Sequence, residues 1–478
     1  MRYRSFIILV LLLFPPLRSS PASAQTDPVD EYIQVEMKKR LIPGLALVVI
    51  QNGEVIKTNG YGFANLEHEV PVTPDTVFEL ASVTKQFTAT AVMLLVEEGK
   101  IKLDDPIVEY LPNSPEQWKG ITVRHLLTHT AGLASLENGF KALNEGGART
   151  NYTTAQMFEA ATKDAISFAP GERWQYSDLG YFLLGMIIEK ASGQRYRNFL
   201  AARFFKPLGM ASTSILDQWT VLKNRAAGYT LRNGQIVNIR RVAQVELPSH
   251  YGIFSTVRDL VKWDNALATG KVVTQPSLEQ MWTPVKLNSG GSFSYGFGWG
   301  LDERRGHRMV THTGITGTEY TRLPDDKLTV IVLTNLGSGI RDTGVNSWGL
   351  TKGVAGHFIA NLFLSSLKEQ PDVNLELTGN LRDFLSTIAR GDNPPLMMPG
   401  LRAVLTPVIS ATITRRLKEL KSFSFLACNE MQGRVVERLG AQVSRTCYYK
   451  MVTGSETRYY VFWLTSDDKV ADFSSFTE

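Results

Sequence analysis

The chain has 478 residues, 43% hydrophobic and 20% charged, with 39 glycines and two cysteines. That composition excludes a disordered chain and a disulfide scaffold, so a core must come from packing, and the length allows more than one domain. Setting aside a leader that carries Arg2, Arg4 and Arg18 leaves 48 of the 51 basic residues against 46 acidic ones, a net of +2, which gives no electrostatic case for a nucleic-acid partner.

The leader is read from the first 24 residues. Arg2 and Arg4 open it, Phe6 to Phe14 is an unbroken apolar run, and Ala22-Ser23-Ala24 offers small residues to a signal peptidase. The run is too short to span a bilayer comfortably, so a secretory signal over 1–24 is expected rather than a transmembrane anchor. The expected location is periplasmic or extracellular.

An amphipathic helix is expected from Asp30 to Lys39. Gly44 to Ile50 is apolar, Asn52-Gly53 signals a tight turn, and Glu54 to Gly60 returns, which reads as a β-hairpin. Ser82 to Glu98 contains no Gly or Pro, and Gly99 lies just past its end, so a buried helix should begin near Ser82. Residues 103–249 read mainly as helices and loops, with a further helix over Gly180 to Ala191. Asp302 to Arg308 is a polar stretch. Leu328 to Thr334 is a nearly continuous apolar strand, the pattern of a strand covered on both faces. Together these predict a sheet assembled from both ends of one domain, 25–366, with a helical lobe inserted.

Residues 367–478 read as a separate small α+β domain of unknown role. Pro371 to Leu420 is polar helix and loop. Phe423 to Cys428, Val443 to Val452, Arg458 to Leu464 and Val470 to Phe473 read as strands. Cys428 and Cys447 either pair or remain two buried thiols. Tyr448-Tyr449 and Tyr459 to Trp463 form either a binding face or, more simply, alternating core positions.

The chemistry starts at Ser82-Val83-Thr84-Lys85. Residues i and i+3 of a helix share a face, so the lysine amine can reach the serine hydroxyl and, if neutral, take its proton. The helix N-terminus adds a field that favours an oxyanion. The pattern alone is weak, because Ser365/Lys368 and Ser466/Lys469 repeat it; only Ser82 opens a long apolar helix. Tyr176, in the loop Pro170 to Tyr181, supplies a phenol that can relay a proton. His312-Thr313-Gly314 supplies a glycine that lets a ligand approach the backbone, and the Ile315 N–H is a second oxyanion donor beside that of Ser82.

These segments, in this order, resemble the serine β-lactamase and penicillin-binding-protein superfamily, nearest its class C β-lactamase and esterase branch. Ser82/Lys85 resembles the family's Ser-x-x-Lys, Tyr176/Asp178 its Tyr-x-Asn, and His312-Thr313-Gly314 its Lys-Thr-Gly or His-x-Gly. Leu126 to Leu133, Ser255-Thr256 with Asp259 and Trp263, and Tyr295 to Trp299 also look familial. The likeness covers about residues 30–365 and implies an α/β (α+β) fold of β-lactamase/transpeptidase type, with an antiparallel sheet flanked by helices. It implies an acyl-enzyme on Ser82, with Lys85 and Tyr176 moving the proton and the Ser82 and Ile315 N–H groups holding the oxyanion. Asp178, His312, Thr313 and Gly314 would line the substrate site.

Two departures bear on substrate. Asp178 stands where the family has asparagine, and a carboxylate cannot donate to a substrate carbonyl; it can instead pair with Lys85 and raise its pKa. His312 stands where β-lactamases place a lysine, which weakens the hold on a substrate carboxylate near neutral pH. The expectation is therefore an esterase or a peptidase, D-amino-acid peptidase included, acting on a small-molecule or peptide acyl compound such as a cell-wall fragment, rather than an efficient β-lactamase. The rival is a receptor that is acylated without turnover, or an inactive binding protein on the same scaffold. His125 and His129 stand four apart, but no glutamate follows His125 and no third ligand is evident. No metal and no cofactor are expected, and a Gly-x-Ser-x-Gly elbow is absent.

Overall fold

The computed structural model describes residues 27–133, 151–215, 219–239, 244–337, 349–360, 362, 369–372, 374–405, 407–431 and 436–476. The expected leader, the Ser365/Lys368 pair and the boundary at 366 lie outside the described residues. Helix α1 (Pro28–Arg40) is capped by Asp27, whose carboxylate accepts the Val29 N–H at 2.8 Å. Strands β1 (Gly44–Gln51) and β2 (Glu54–Asn65) follow, joined at Asn52 and Gly53. Both turn residues have positive φ, 53° and 82°, as a two-residue hairpin turn requires. After β3 (Val70–Pro71) the chain leaves the sheet and returns as β4 (Gly300–Arg304), β5 (His307–Thr313), β6 (Glu319–Leu323) and β7 (Leu328–Thr334).

The sheet is antiparallel in the order β4-β5-β6-β7-β1-β2-β3, so its two chain ends meet where β1 pairs β7, Val48 opposite Ile331. The apolar runs of these strands have a direct cause. Ala46, Val48, Ile50, Ile331 and Leu333 point into one core, and Leu45, Leu47, Val49, Val330 and Val332 into another on the opposite face. The polar stretch Asp302 to Arg308 is the β4–β5 hairpin, which pairs Gly300 with Thr311 through Arg304 with His307. Its half-buried side chains, at the sheet edge, carry no apolar alternation, and the short strand β6 was not foreseen either.

The first core holds the inserted lobe: α2 (Thr84–Glu97), α3 (Val123–Leu127), α4 (Asp178–Ser192) and α5 (Val257–Ala268). Trp263 of α5 stacks on Phe87 of α2 with centroids 4.1 Å apart, and its Nε1–H donates to Gln86 Oε1 at 2.9 Å. The second core is closed by α1 and by α6 (Leu350–Ala355). Among the described residues no helix is long and apolar enough to cross a membrane.

Towards the C-terminus come α7 (Leu375–Ala389), α8 (Pro399–Val404) and α9 (Pro407–Lys418), then β8 (Leu420–Glu430), β9 (Val436–Arg438), β10 (Ala441–Val443), β11 (Arg445–Thr453), β12 (Thr457–Leu464) and β13 (Val470–Phe476). Strands β8, β11, β12 and β13 form an antiparallel sheet, and Cys428 of β8 is disulfide-bonded to Cys447 of β11. Tyr449, Tyr460 and Phe462 pack with α7, α8 and α9 on one face, while Tyr448, Tyr459, Val461 and Trp463 pack on the other with Ala441 and Val443. The aromatic run is thus core on both sides. The β9–β10 hairpin, which the sequence did not signal, places Leu439 and Gly440 against Gly290 and Gly291, and Arg438 donates to Ser294 Oγ at 3.2 Å.

Candidate active site

Ser82 lies in a 3₁₀ turn, Ala81–Val83, that runs directly into α2. Along residues 80–93 every other residue is buried, and Ser82 alone is partly exposed. The segment before it is held from two sides. The Leu80 N–H donates to Ile253 O at 2.8 Å, and Thr318 Oγ1 donates to Leu80 O at 2.9 Å. Thr316 Oγ1 donates to Glu79 O at 2.8 Å. Ala81 is forced to φ 46°, the left-handed region that side chains other than Gly, Asn and Asp seldom enter. Gly314 is required by the same contact, since a Cβ there would stand 2.5 Å from Leu80 O and 2.2 Å from Thr318 Oγ1. The His-Thr-Gly segment at the end of β5 is thereby brought beside the serine, and Ile315, 41% exposed, follows at the next position.

Lys85 is one turn along α2 and fully buried. Its Nζ donates to Ser82 Oγ at 3.3 Å, to Asp178 Oδ1 at 2.6 Å and to the His250 carbonyl at 2.9 Å, which engages all three protons of an ammonium. The His250 carbonyl is placed by its neighbour, because Thr88 of α2 donates to Ser249 O at 2.6 Å. Asp178 is the first residue of α4, capped by Ser177, and its side chain is 42% exposed. Burial opposes charge on both partners. The Asp178 carboxylate outweighs it at Lys85, holding the amine above the ordinary lysine range. Against the same opposition the Lys85 ammonium brings the Asp178 carboxyl down to about 2.

Tyr176, 38% exposed, ends the loop that enters α4 and lies beside Lys85 and Ser82. The Lys85 Nζ also lies 4.8 Å from its ring centroid. Burial raises the phenol above its usual range, with the Lys85 ammonium acting against it. The loop is fixed by Gly171 N–H to Thr130 O at 2.8 Å, Gln175 N–H to His129 O at 2.9 Å, and Trp174 stacked on Phe293 at 4.1 Å.

The third wall is a chain of hydrogen bonds whose direction is fixed at both ends. Ser177 N–H donates to His129 Nδ1 at 3.1 Å, so that neutral ring carries its proton on Nε2 and donates to Tyr295 Oη at 3.2 Å. At the other end, His312 Nδ1 must donate to the Thr313 carbonyl at 2.9 Å, which leaves Nε2 to accept the Tyr295 hydroxyl at 3.0 Å. Burial pushes His312 down to about 3 and His250 down to about 4, with the Lys85 ammonium as a further cause in each, and holds His129 well below the usual histidine range. His312 therefore faces the crevice as a neutral ring with both nitrogens engaged inside the protein.

The structure thus gathers Ser82, Lys85, Tyr176, Asp178, His312, Thr313 and Gly314 around one crevice, with Ile315 at its rim. His125 is elsewhere, its Nδ1 accepting the Thr122 N–H at 3.1 Å to cap α3. Ser466 lies exposed in the turn between β12 and β13. The His250 carbonyl and the links through His129 and Tyr295 were missed by the sequence reading. A backbone acceptor leaves no residue-type signal, and the two side chains were seen only as parts of familiar stretches.

Comparison with known proteins identifies the family. A family profile described as Beta-lactamase matches residues 29–352. Penicillin-binding protein 4* of Bacillus subtilis (strain 168) is 31% identical over 312 residues, 60% of this chain and 67% of the relative. Protein flp of Staphylococcus aureus (strain N315) is 29% identical over 322 residues, 65% of this chain but only 63% of that protein's length. Among solved structures, the D-amino acid amidase from Ochrobactrum anthropi SV3 superposes with a TM-score of 0.59 at 26% identity, covering 69% of this chain and 97% of that one. The octameric penicillin-binding protein homologue from Pyrococcus abyssi is 24% identical with a TM-score of 0.57, and shares the fold over 94% of this chain and 98% of its own. The chain belongs to the Beta-lactamase family, within the serine β-lactamase and penicillin-binding-protein superfamily of serine hydrolases.

Proposed function

We propose that this protein is an exported hydrolase that cleaves an ester or amide through an acyl-enzyme on Ser82. The observation that carries the reading is the Lys85 Nζ held 3.3 Å from the one partly exposed side chain of an otherwise buried segment, with the Tyr176 ring 4.8 Å from the same Nζ. In the resting state Lys85 is an ammonium. Once it has lost a proton, the amine takes the Ser82 proton as Oγ bonds to the acyl carbon. The Ser82 and Ile315 N–H groups take up the oxyanion charge. Tyr176 passes a proton to the leaving group as its bond to carbon breaks. Water then attacks the acyl carbon, returns its proton to Ser82 through the same groups, and releases the acid.

The neutral His312 ring supports an ester or neutral amide substrate over one held by a carboxylate, and with it a preference against β-lactams. Amidase and penicillin-binding relatives fit the same class of chemistry. The test is incubation with a fluorophosphonate probe, a short p-nitrophenyl ester and a chromogenic cephalosporin. Labelling at Ser82, loss of labelling in Ser82→Ala and ester turnover above cephalosporin turnover are expected. A burst without turnover would make the protein a receptor, and no acylation at all would make it a binding scaffold.

A further inference from the structure

Asp178 is the unusual member of this site, and its geometry gives it a second use. One carboxylate oxygen is taken by Lys85, which is wholly buried. The side chain is 42% exposed, so the part of it that Lys85 does not take is open to a ligand. Among the described residues, Lys85 and Asp178 are the principal charged groups acting on Tyr176, His129, His250 and His312. The ammonium has every proton engaged, and the His312 ring is neutral with both nitrogens occupied. Towards a ligand, the crevice presents a carboxylate and no free cation of its own from these groups.

We propose that Asp178 is a specificity-determining residue that selects acyl compounds bearing an ammonium beside the scissile carbonyl, that is, esters and amides of free α-amino acids and N-terminal residues of peptides. The inference rests on the hydrolase reading of Ser82. The span closes. Contacts of 3.3 and 2.6 Å through Lys85 Nζ put the carboxylate within about 6 Å of Ser82 Oγ. An α-nitrogen lies ~2.5 Å from its own carbonyl carbon, and a charged N–H···O contact spans ~2.8 Å. With the carbon ~3 Å from Oγ, the ammonium reaches the outer carboxylate oxygen while the serine attacks. An asparagine in the same place would present no charge and could not discriminate in this way. The bound ammonium also shares the carboxylate with Lys85, which loosens the lysine's proton when substrate arrives, so the effect reaches kcat as well as KM.

The experiment compares the rates at which two diphenyl phosphonates label Ser82, one with a free α-amine and one with that amine acetylated, each as both enantiomers. In wild type the free amine should label at least tenfold faster within one enantiomeric series, and Asp178→Asn should bring the ratio near one. Asp178→Glu, which keeps the charge, should retain part of the preference. A wild-type ratio near one or below it, or a preference that survives Asp178→Asn, would overturn the proposal. If the fluorophosphonate probe also fails to label Ser82, the hydrolase reading itself falls, and the two failures are thereby told apart.

Discussion

On the helical side of the crevice, Lys85 and Asp178 are both charged and hold each other at 2.6 Å. On the strand side, His129, Tyr295 and His312 are all neutral, and each is held by the direction in which its neighbour donates. Both solve the problem of keeping titratable groups in a buried site, by opposite means. A charged pair tolerates acid because each charge lowers the cost of the other. A neutral chain has nothing to offset a proton once one arrives. The contrast explains how one site can carry a lysine ammonium and three histidines without becoming strongly cationic.

The largest break in that contrast comes from Lys85→Met. It should remove the base and reduce ester turnover about a thousandfold. It also leaves the Asp178 carboxylate without its counter-ion, at a cost of about 1–3 kcal/mol, discounted because that side chain is partly exposed. The double variant with Asp178→Asn should recover stability but not activity, as urea titration and ester kinetics will read.

Acid should break the neutral histidines first. His250 and His312 have folded pKa values near 4 and 3, below the ordinary 6.5 of an unfolded histidine. Their contribution is complete above pH 6.5 and is lost as pH falls towards those values, each histidine removing about 1.4 kcal/mol per pH unit. Asp178, depressed from 3.8 to about 2, begins to lose its contribution only below pH 3.8. A melting temperature that holds steady from pH 6.5 to 4.5 would refute the neutral assignment.

A sharper measure is the rising limb of kcat/KM against pH on a neutral ester. Activity requires deprotonated Lys85, whose pKa the carboxylate raises, so Asp178→Asn should move the limb to lower pH. An unmoved limb would mean that Lys85 is not the titrating base. The smallest effect expected is that of Tyr295→Phe. It removes one hydroxyl that accepts from His129 and donates to His312, leaving two buried ring nitrogens to find new partners, for a loss of about 1–3 kcal/mol. Side-chain ¹⁵N spectra should show His312 keep its Nδ1–H, held by the Thr313 carbonyl, while its Nε2 resonance shifts on losing the Tyr295 donor.

The ionic wall was partly legible in the sequence and the neutral wall was not, for a physical reason. Ser82 and Lys85 are three residues apart on one helix, so helical periodicity alone makes them neighbours, and Asp178 declares itself by replacing an amide with an acid. His129, Tyr295 and His312 come from segments more than a hundred residues apart at the widest, and only folding joins them. The same division runs through the fold. The Asn52-Gly53 turn and the apolar strand Leu328–Thr334 were readable because turn chemistry and two-sided burial write local patterns. Strand β4 lies at the sheet edge with half-buried side chains, β5 has only Met309 and Val310 as apolar residues, and β9 and β10 are only three residues each, too short to establish a period. The C-terminal aromatics were resolved only by seeing both faces of their sheet covered.

The contact of Leu439 and Gly440 with Gly290 and Gly291 restricts how this molecule can be rebuilt. The loop beneath that tip also carries Asn288, which donates to Gly171 O and Pro170 O at 2.8 and 2.9 Å, and Phe293, which stacks on Trp174. Backbone meets backbone there, and a Cβ added at Gly400 would run into Leu439 O. A chimaera that borrows its tail from a relative must therefore borrow residues 287–294 as well, or the misfit will be transmitted along the loop to the phenol that serves the nucleophile.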